Sequence, residues 1–154
     1  MASRPIETEN DGVELGVLTE LVGYHLRRAS SAFGGDFSRA LSGTGMRQVL
    51  FGILSVVDAN PGINQGAAGR VLGIQRANMV ALINELVDDG WIERKVAAED
   101  RRAFALTMTA AGKAKLGECL ALIRAHEEEM LGDLTAADRN RLIALLSKIE
   151  AKER

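Results

Sequence analysis

The sequence predicts a mainly α-helical chain carrying one small β-hairpin, and three observations predict it. Apolar residues recur at three- and four-residue steps toward both ends of the chain. Near the middle, a short helical stretch, a glycine and a longer helical stretch follow one another. Two extended runs joined by a charged tip come directly after them. With two prolines and 4% aromatic residues in 154, little in the composition opposes helix.

The elements follow in order. Residues 1–12 are polar, mixed in charge and contain Pro5, and they read as a frayed arm. From Val13 a helical stripe runs through Leu15, Leu18, Val22, Ala29, Phe33 and Phe37, with Gly34-Gly35 weakening it near its end. A glycine-rich loop over 41–45 precedes a second helix with Met46, Val49, Leu50, Ile53, Leu54 and Val57 on one stripe. Asp58-Ala59-Asn60-Pro61-Gly62 stops it. Asn64–Leu72 is the next helical stretch, Gly73 breaks it, and a longer helix starts near Gln75 with Val80, Ile83, Leu86 and Val87.

Trp91–Val96 and Ala103–Met108 read as strands around the tip 97–102. A hairpin directly after a helix-turn-helix makes a winged helix. Thr109 reads as the N-cap of a long helix. Thr135-Ala136-Ala137-Asp138 reads as a capping box with Asp in place of Glu, opening a last helix. The predicted organisation is an arm over 1–12 and one domain over 13–154. Within that domain a winged helix-turn-helix over about 44–108 lies between N- and C-terminal dimerisation helices over about 13–40 and 109–152. Leu15, Leu18, Leu142, Leu145, Leu146 and Ile149 carry apolar stripes that single helices cannot bury alone, and they are the expected interface of a homodimer across a two-fold axis.

Composition excludes several classes. No run of about 18 apolar residues occurs, so no transmembrane helix and no membrane partner is expected. The N-terminus lacks the apolar core of a signal peptide, and the single cysteine, Cys119, fits a reducing cytoplasm rather than a disulfide framework. The motifs of nucleophilic, zinc-dependent, phosphate-loop or dinucleotide-binding enzymes are absent, so neither catalysis nor a cofactor is expected. His126 and Glu129 stand three apart with no third soft partner, so no metal site is expected and the Glu127–Glu129 run reads as a solvated face.

The residues that point to chemistry cluster in the winged region. Gln75, Arg76, Asn78 and Met79 open the longer helix. Arginine can bond both acceptors of guanine, and Asn and Gln can bond both edge groups of adenine. The N-terminal end of such a helix is the part that enters the major groove. Arg94, Lys95, Arg101 and Arg102 would serve the wing, where paired arginines reach phosphates or the minor groove, with Asp100 holding an arginine in place. Asn64 and Gln65, at a helix start, are candidates for phosphate bonds. The partner so indicated is double-stranded operator DNA.

Leu72-Gly73-Ile74, Gly90-Trp91-Ile92-Glu93-Arg94, Asp100-Arg101-Arg102-Ala103 and Leu106-Thr107-Met108-Thr109-Ala110-Ala111-Gly112 together resemble the multiple-antibiotic-resistance-regulator (MarR) family, over about Leu15 to Ile149. The resemblance implies a winged-helix homodimer on a pseudo-palindromic operator, acting as a repressor that a small aromatic ligand releases. Two departures stand out. Gln75, Ala77 and Asn78 replace serine and threonine, which implies a different operator preference, and Arg47 occupies a position that is often aromatic.

The family places its effector between the winged region and the dimerisation helices. The matching residues here are Tyr24, His25, Arg28, Phe33, Met46, Arg47 and Phe51. Aromatic walls with cationic anchors suit an aromatic acid or its coenzyme A thioester. Residue by residue the plainer reading is the stronger one: Tyr24 and Phe33 as core, His25 as a satisfied helix residue, and Arg27, Arg28 and Arg47 as surface charges. A rival within the family is redox-responsive regulation through Cys119, which needs a reactive, low-pKa thiol. Outside it stands a dimeric adaptor that binds protein instead of DNA.

The net charge of −2 lies wholly in residues 1–60, with 5 basic and 7 acidic side chains; residues 61–105 carry 6 of each and 106–154 carry 8 of each. The winged region is therefore neutral overall. Mild acidity predicts modest charge-driven binding and a specificity that leans on base contacts.

Overall fold

The computed structural model describes residues 12–96 and 104–152. Two units divide between Gly35 and Asp36. In the first, a five-residue 3-10 helix, Gly16–Glu20, ends at Leu21 in extended backbone, and α1 (Val22–Ala40) begins. The stripe from Val13 is thus broken at Leu21 rather than continuous. The helix also runs through Gly34-Gly35, because α1 reaches Ala40.

The second unit is built on α2 (Gln48–Ala59), whose Leu50, Ile53, Leu54 and Val57 have no exposed surface. Each such side chain contributes about 1.5–3 kcal/mol on burial. Against this row pack α3 (Gln65–Val71), α4 (Arg76–Asp88) and α5 (Ala110–Leu131), which supply Ala68, Met79, Ile83, Leu86, Cys119 and Ile123 to the same core. The sheet is three-stranded and antiparallel. Its order is β1 (Ile63–Asn64), β3 (Phe104–Met108), β2 (Ile92–Val96), with Ile63 opposite Leu106 and Arg94 opposite Leu106 on the other side. Two strands were legible in the sequence. β1 was not, since two residues carry no periodicity and the pairing partner lies more than 40 positions away.

The helix-turn-helix joint needs Gly73. It sits at φ +65°, a backbone that side chains with a Cβ rarely adopt. The following amide, Ile74 N, donates to Gly69 O at 2.8 Å. Asn64 caps α3 by accepting from Ala67 N at 2.8 Å. Thr109 caps α5 by accepting from Gly112 N at 2.9 Å, as its type and position predict.

The same threonine joins three elements. Its hydroxyl donates to Gly90 O at 2.6 Å, and its amide donates to Trp91 O at 3.1 Å. The end of α4, the start of the wing and the first turn of α5 therefore meet within one hydrogen-bond set. The approach is so close that a Cβ on Gly112 would overlap Trp91 O.

The last helix, α6 (Ala136–Glu150), opens with the expected capping box, Thr135 with Asp138. Those hydrogen bonds hold the Asp138 carboxyl below its ordinary range. Arg139 closes the α5–α6 turn by donating to Glu128 Oε2 and to Leu131 O, both at 2.8 Å. The fork also holds the Glu128 carboxyl below its usual value. Among the described residues no helix is long and apolar enough to cross a membrane.

Gly112→Ala is expected to lower unfolding stability by about 3 kcal/mol, because the clash is with backbone and cannot be relieved by a rotamer change. Urea unfolding followed by circular dichroism checks this; a loss below about 1 kcal/mol would mean the junction is looser than described.

Candidate nucleic-acid interface

Helix α4 buries one row and shows another. Met79, Ile83 and Leu86 are at most 1% exposed and recur at steps of four and three, one face of a helix. Gln75, Arg76 and Asn78 are exposed around the first turn. Gln75 is the N-cap residue but its side chain makes no cap bond, so its amide is not spent on the helix end. Met79, expected among the base-contacting residues, is buried in the core over α3 beside Gly69 and borders the cleft beside α4 from below, so its side chain is not offered to bases as Gln75, Arg76 and Asn78 are. The reason is helical phase, since position 79 shares its row with Ile83 and Leu86.

A surface cleft of about 510 Å³ lies beside α4. Asn64, Gln65, Gly66, Gly69 and Arg70 wall it from β1 and α3, Arg76 and Val80 from α4, and Arg94 and Phe104 from the wing. Three guanidinium groups around one groove suit a polyanion such as a phosphate backbone. Arg70, one of the six basic side chains that the sequence assigns to the winged region and its presumed DNA side, stands in this wall.

Arg94 and Lys95 are both exposed on β2. Arg94 is also engaged within the protein. Its Nη1 donates to Asn84 Oδ1 at 2.7 Å, and its guanidinium carbon stands 5.8 Å from the Phe104 ring centroid. The Asn64 side-chain oxygen is committed to capping α3, which leaves its amide NH2 side for a phosphate; Gln65 is half-buried. Asp100, Arg101 and Arg102, expected at the wing tip, lie outside the described residues.

The expected effector residues divide between the two units. In the first, Tyr24 is half-buried and meets the His25 ring edge-on, with centroids 5.4 Å apart. His25 Nε2 is 3.0 Å from Thr19 O, Phe33 is half-buried and Arg28 is exposed. In the second, Met46 lies in the core. It is 5% exposed, held there by the turn in which Thr44 Oγ1 accepts from its amide. Phe51 packs half-buried against the same core.

Arg47, expected as a cationic anchor, already has a partner. Its two terminal nitrogens donate to the two carboxylate oxygens of Glu85 on α4, at 2.8 and 2.9 Å. Sequence reasoning missed Asn84 and Glu85, since nothing local in α4 announces partners on α2 and β2. At the end of α5, His126 is buried and its ring meets Phe37 edge-on at 6.3 Å, while Glu127, Glu128 and Glu129 face solvent.

Comparison with known proteins agrees with this arrangement. Residues 45–103, from the loop before α2 into the wing, match the family model described as the MarR family. Over 135 residues, 87% of this chain and 81% of the relative, the sequence is 31% identical to a transcriptional regulatory protein for the hcr operon of Thauera aromatica. The chain belongs to the MarR family.

Two solved structures of the transcriptional repressor CouR share this MarR-family architecture. One is bound to a 23-mer DNA duplex; its TM-score is 0.84 at 33% identity, covering 90% of this chain and 98% of that one. The other is bound to p-coumaroyl-CoA, with a TM-score of 0.76 at 32% identity over 92% and 99%. The present MarR-family protein is a winged-helix, DNA-binding transcriptional regulator of the repressor type.

Redox-responsive regulation in this MarR chain would need an accessible, acidic thiol. Cys119 has no exposed surface, and burial pushes its thiol up from the ordinary value, against smaller opposing effects of Lys115 and Thr44. Raised in the folded state, the thiol stays protonated at neutral pH, and any stability it contributes is lost only as pH rises through the alkaline thiol range. Cys119 is expected to resist a disulfide reagent such as DTNB at pH 7.5 in the native protein and to react fully in denaturant. Complete labelling of folded protein within minutes would reverse this reading.

Proposed function

We propose that this MarR-family chain is a homodimeric repressor that reads a pseudo-palindromic operator through α4 and is released by an aromatic acid or its coenzyme A thioester. The observation that carries the proposal is the exposed first turn of α4, Gln75, Arg76 and Asn78, standing beside a cleft walled by three arginines. Side chains of these three types bond purine edges in pairs, and their place at the helix N-terminus is the place that enters the major groove. The likeness to CouR, whose structure holds a 23-mer duplex, supports the same use of the same fold.

Dimerisation is supported by apolar surface. Leu142, Leu145 and Ile149 on α6 are 39%, 50% and 45% exposed in the single chain, with Leu146 half-buried among them. In the first unit, Val13, Val17 and Val22 are each more than 65% exposed, and Leu15 and Leu18 are half-buried. Surface of this kind is the mark of an interface. A two-fold dimer would set two copies of α4 about 34–36 Å apart, one turn of the duplex.

The effector is supported by the p-coumaroyl-CoA complex of CouR, at 32% identity over nearly the whole of both chains. Of the residues matched to the effector region, Tyr24, His25, Arg28, Phe33 and Phe51 are the more accessible candidates, with Met46 buried in the core. Arg47 would act as an anchor only by leaving Glu85. Release would follow if the ligand stabilised a dimer in which the two α4 helices no longer meet successive grooves.

Arg76→Ala is expected to cost roughly 1–3 kcal/mol on the operator, measured by fluorescence anisotropy on a duplex selected from a random library, with little change on unrelated DNA. Equal weakening on both duplexes would reduce Arg76 to a phosphate contact. Separately, saturating p-coumaroyl-CoA is expected to weaken operator binding by about tenfold or more, the scale of ordinary allosteric coupling. If neither that thioester nor simple aromatic acids change binding, the ligand half of the proposal falls and the DNA half stands.

A further inference from the structure

The reading end of α4 has no side-chain cap of its own, whereas its far end is capped by the Asp89 amide on Glu85 O and Val87 O. Gln75 supplies no side-chain cap, and α4 has no acidic residue in its first turn. Instead two arginines grip adjacent residues two turns further on. Arg94 reaches Asn84 from the wing at 2.7 Å, and Arg47 reaches Glu85 from the start of α2 at 2.8 and 2.9 Å.

The geometry places these grips where they bear on the reading row. Arg76, Val80 and Asn84 recur every four residues and share one side of α4. Arg76 and Val80 wall the cleft opposite Arg94 and Phe104. The Arg94 head is fixed a second time over the Phe104 ring at 5.8 Å, so the wing and α4 are tied at the open end of their interface, beyond buried Ile92 and Leu106. A bidentate arginine–carboxylate fork constrains direction as well as distance, which a lysine would not. Both ties are exposed, and exposed pairs add little to global stability. Their consequence is orientation.

Resting on the reading that the first turn of α4 contacts bases, we propose that Arg94 through Asn84, and Arg47 through Glu85, are positioning residues that set the pose of α4 for operator recognition. Arg94 then acts on specificity through α4, while its charge adds to the cleft without a fixed phosphate contact. The Asn84 side chain carries no charge, and it lies about 12 Å along the helix axis from Arg76 at 1.5 Å per residue.

The test is a double-mutant cycle on Asn84→Ala and Arg94→Gln, with Glu85→Gln and Arg94→Lys alongside, in the full-length protein. Each variant is measured on the selected operator duplex and on a scrambled duplex across a salt series, after circular dichroism shows the native spectrum and melting temperature. Asn84→Ala and Arg94→Gln are each expected to lose about tenfold on the operator and little on scrambled DNA, and the double variant no more than either alone. Glu85→Gln is expected to lower the operator-to-scrambled ratio in the same direction. Arg94→Lys is expected not to rescue, since charge is kept and the grip on Asn84 lost. The salt slope is expected to be unchanged by Asn84→Ala.

The proposal is overturned if Arg94→Gln weakens both duplexes alike and lowers the salt slope by about one, while Asn84→Ala and Glu85→Gln bind as wild type. Additive losses from Asn84→Ala and Arg94→Gln overturn it too, and assign both residues to direct contact. If wild type itself fails to prefer any duplex, or Arg76→Ala changes nothing, the base-reading role of α4 has failed, and the positioning role goes with it by a result that looks different from the others.

Discussion

The burial of Met79, Ile83 and Leu86 against α2 and α3 is the interaction on which the rest of the structure depends. A helix has one phase. Once those three side chains are in the core, Gln75, Arg76 and Asn78 have no choice but to face water, and the row of Arg76, Val80 and Asn84 faces the wing. Burial supplies the energy, several kcal/mol across three large side chains. It thereby fixes the orientation of a polar surface that contributes almost nothing to stability. Function is carried by residues whose placement is set by others.

The same division of labour recurs at the joints. Gly73 supplies the turn between α3 and α4, and Gly112 allows α5 to begin directly against the Trp91 carbonyl. Thr109 ties these neighbours together with its hydroxyl and its amide. Small, inexpensive contacts of this kind decide angles between elements. Larger apolar contacts decide whether the elements associate at all. Arg94 and Arg47 extend the scheme to the surface: the single Arg94–Asn84 bond and the Arg47–Glu85 fork add little stability, and the fork in particular fixes direction.

Most of the secondary structure was legible because its signals are local. The caps at Thr109 and Thr135, the stop at Asp58–Gly62 and the stripe of α2 each lie within a few positions and depend on neighbours in the chain. The break at Leu21, the passage of α1 through Gly34-Gly35 and the two-residue β1 were not legible. For β1 the reason is pairing with β3 more than 40 positions away; the other two leave no signal in the local residue pattern. The candidate site divided along the same line. The polar first turn of α4 was visible as a string of residue types. That Met79 belongs to the core, that Met46 does too, and that Arg47 is held by Glu85 depended on phase and on partners as far as 38 residues away.

By itself the sequence determined the family and the order of the main helices and the hairpin, and it marked a polar stretch as the candidate for DNA contact, since these reside in residue types, spacing and hydrophobic period. It also determined that the winged region carries no net charge, so specificity must come from placed side chains more than from bulk attraction. Only the tertiary structure decided which side chains are available for that placement. A one-dimensional pattern records a residue's chemistry, whereas the burial of one helix row and the reach of an arginine across elements exist only when the chain is folded.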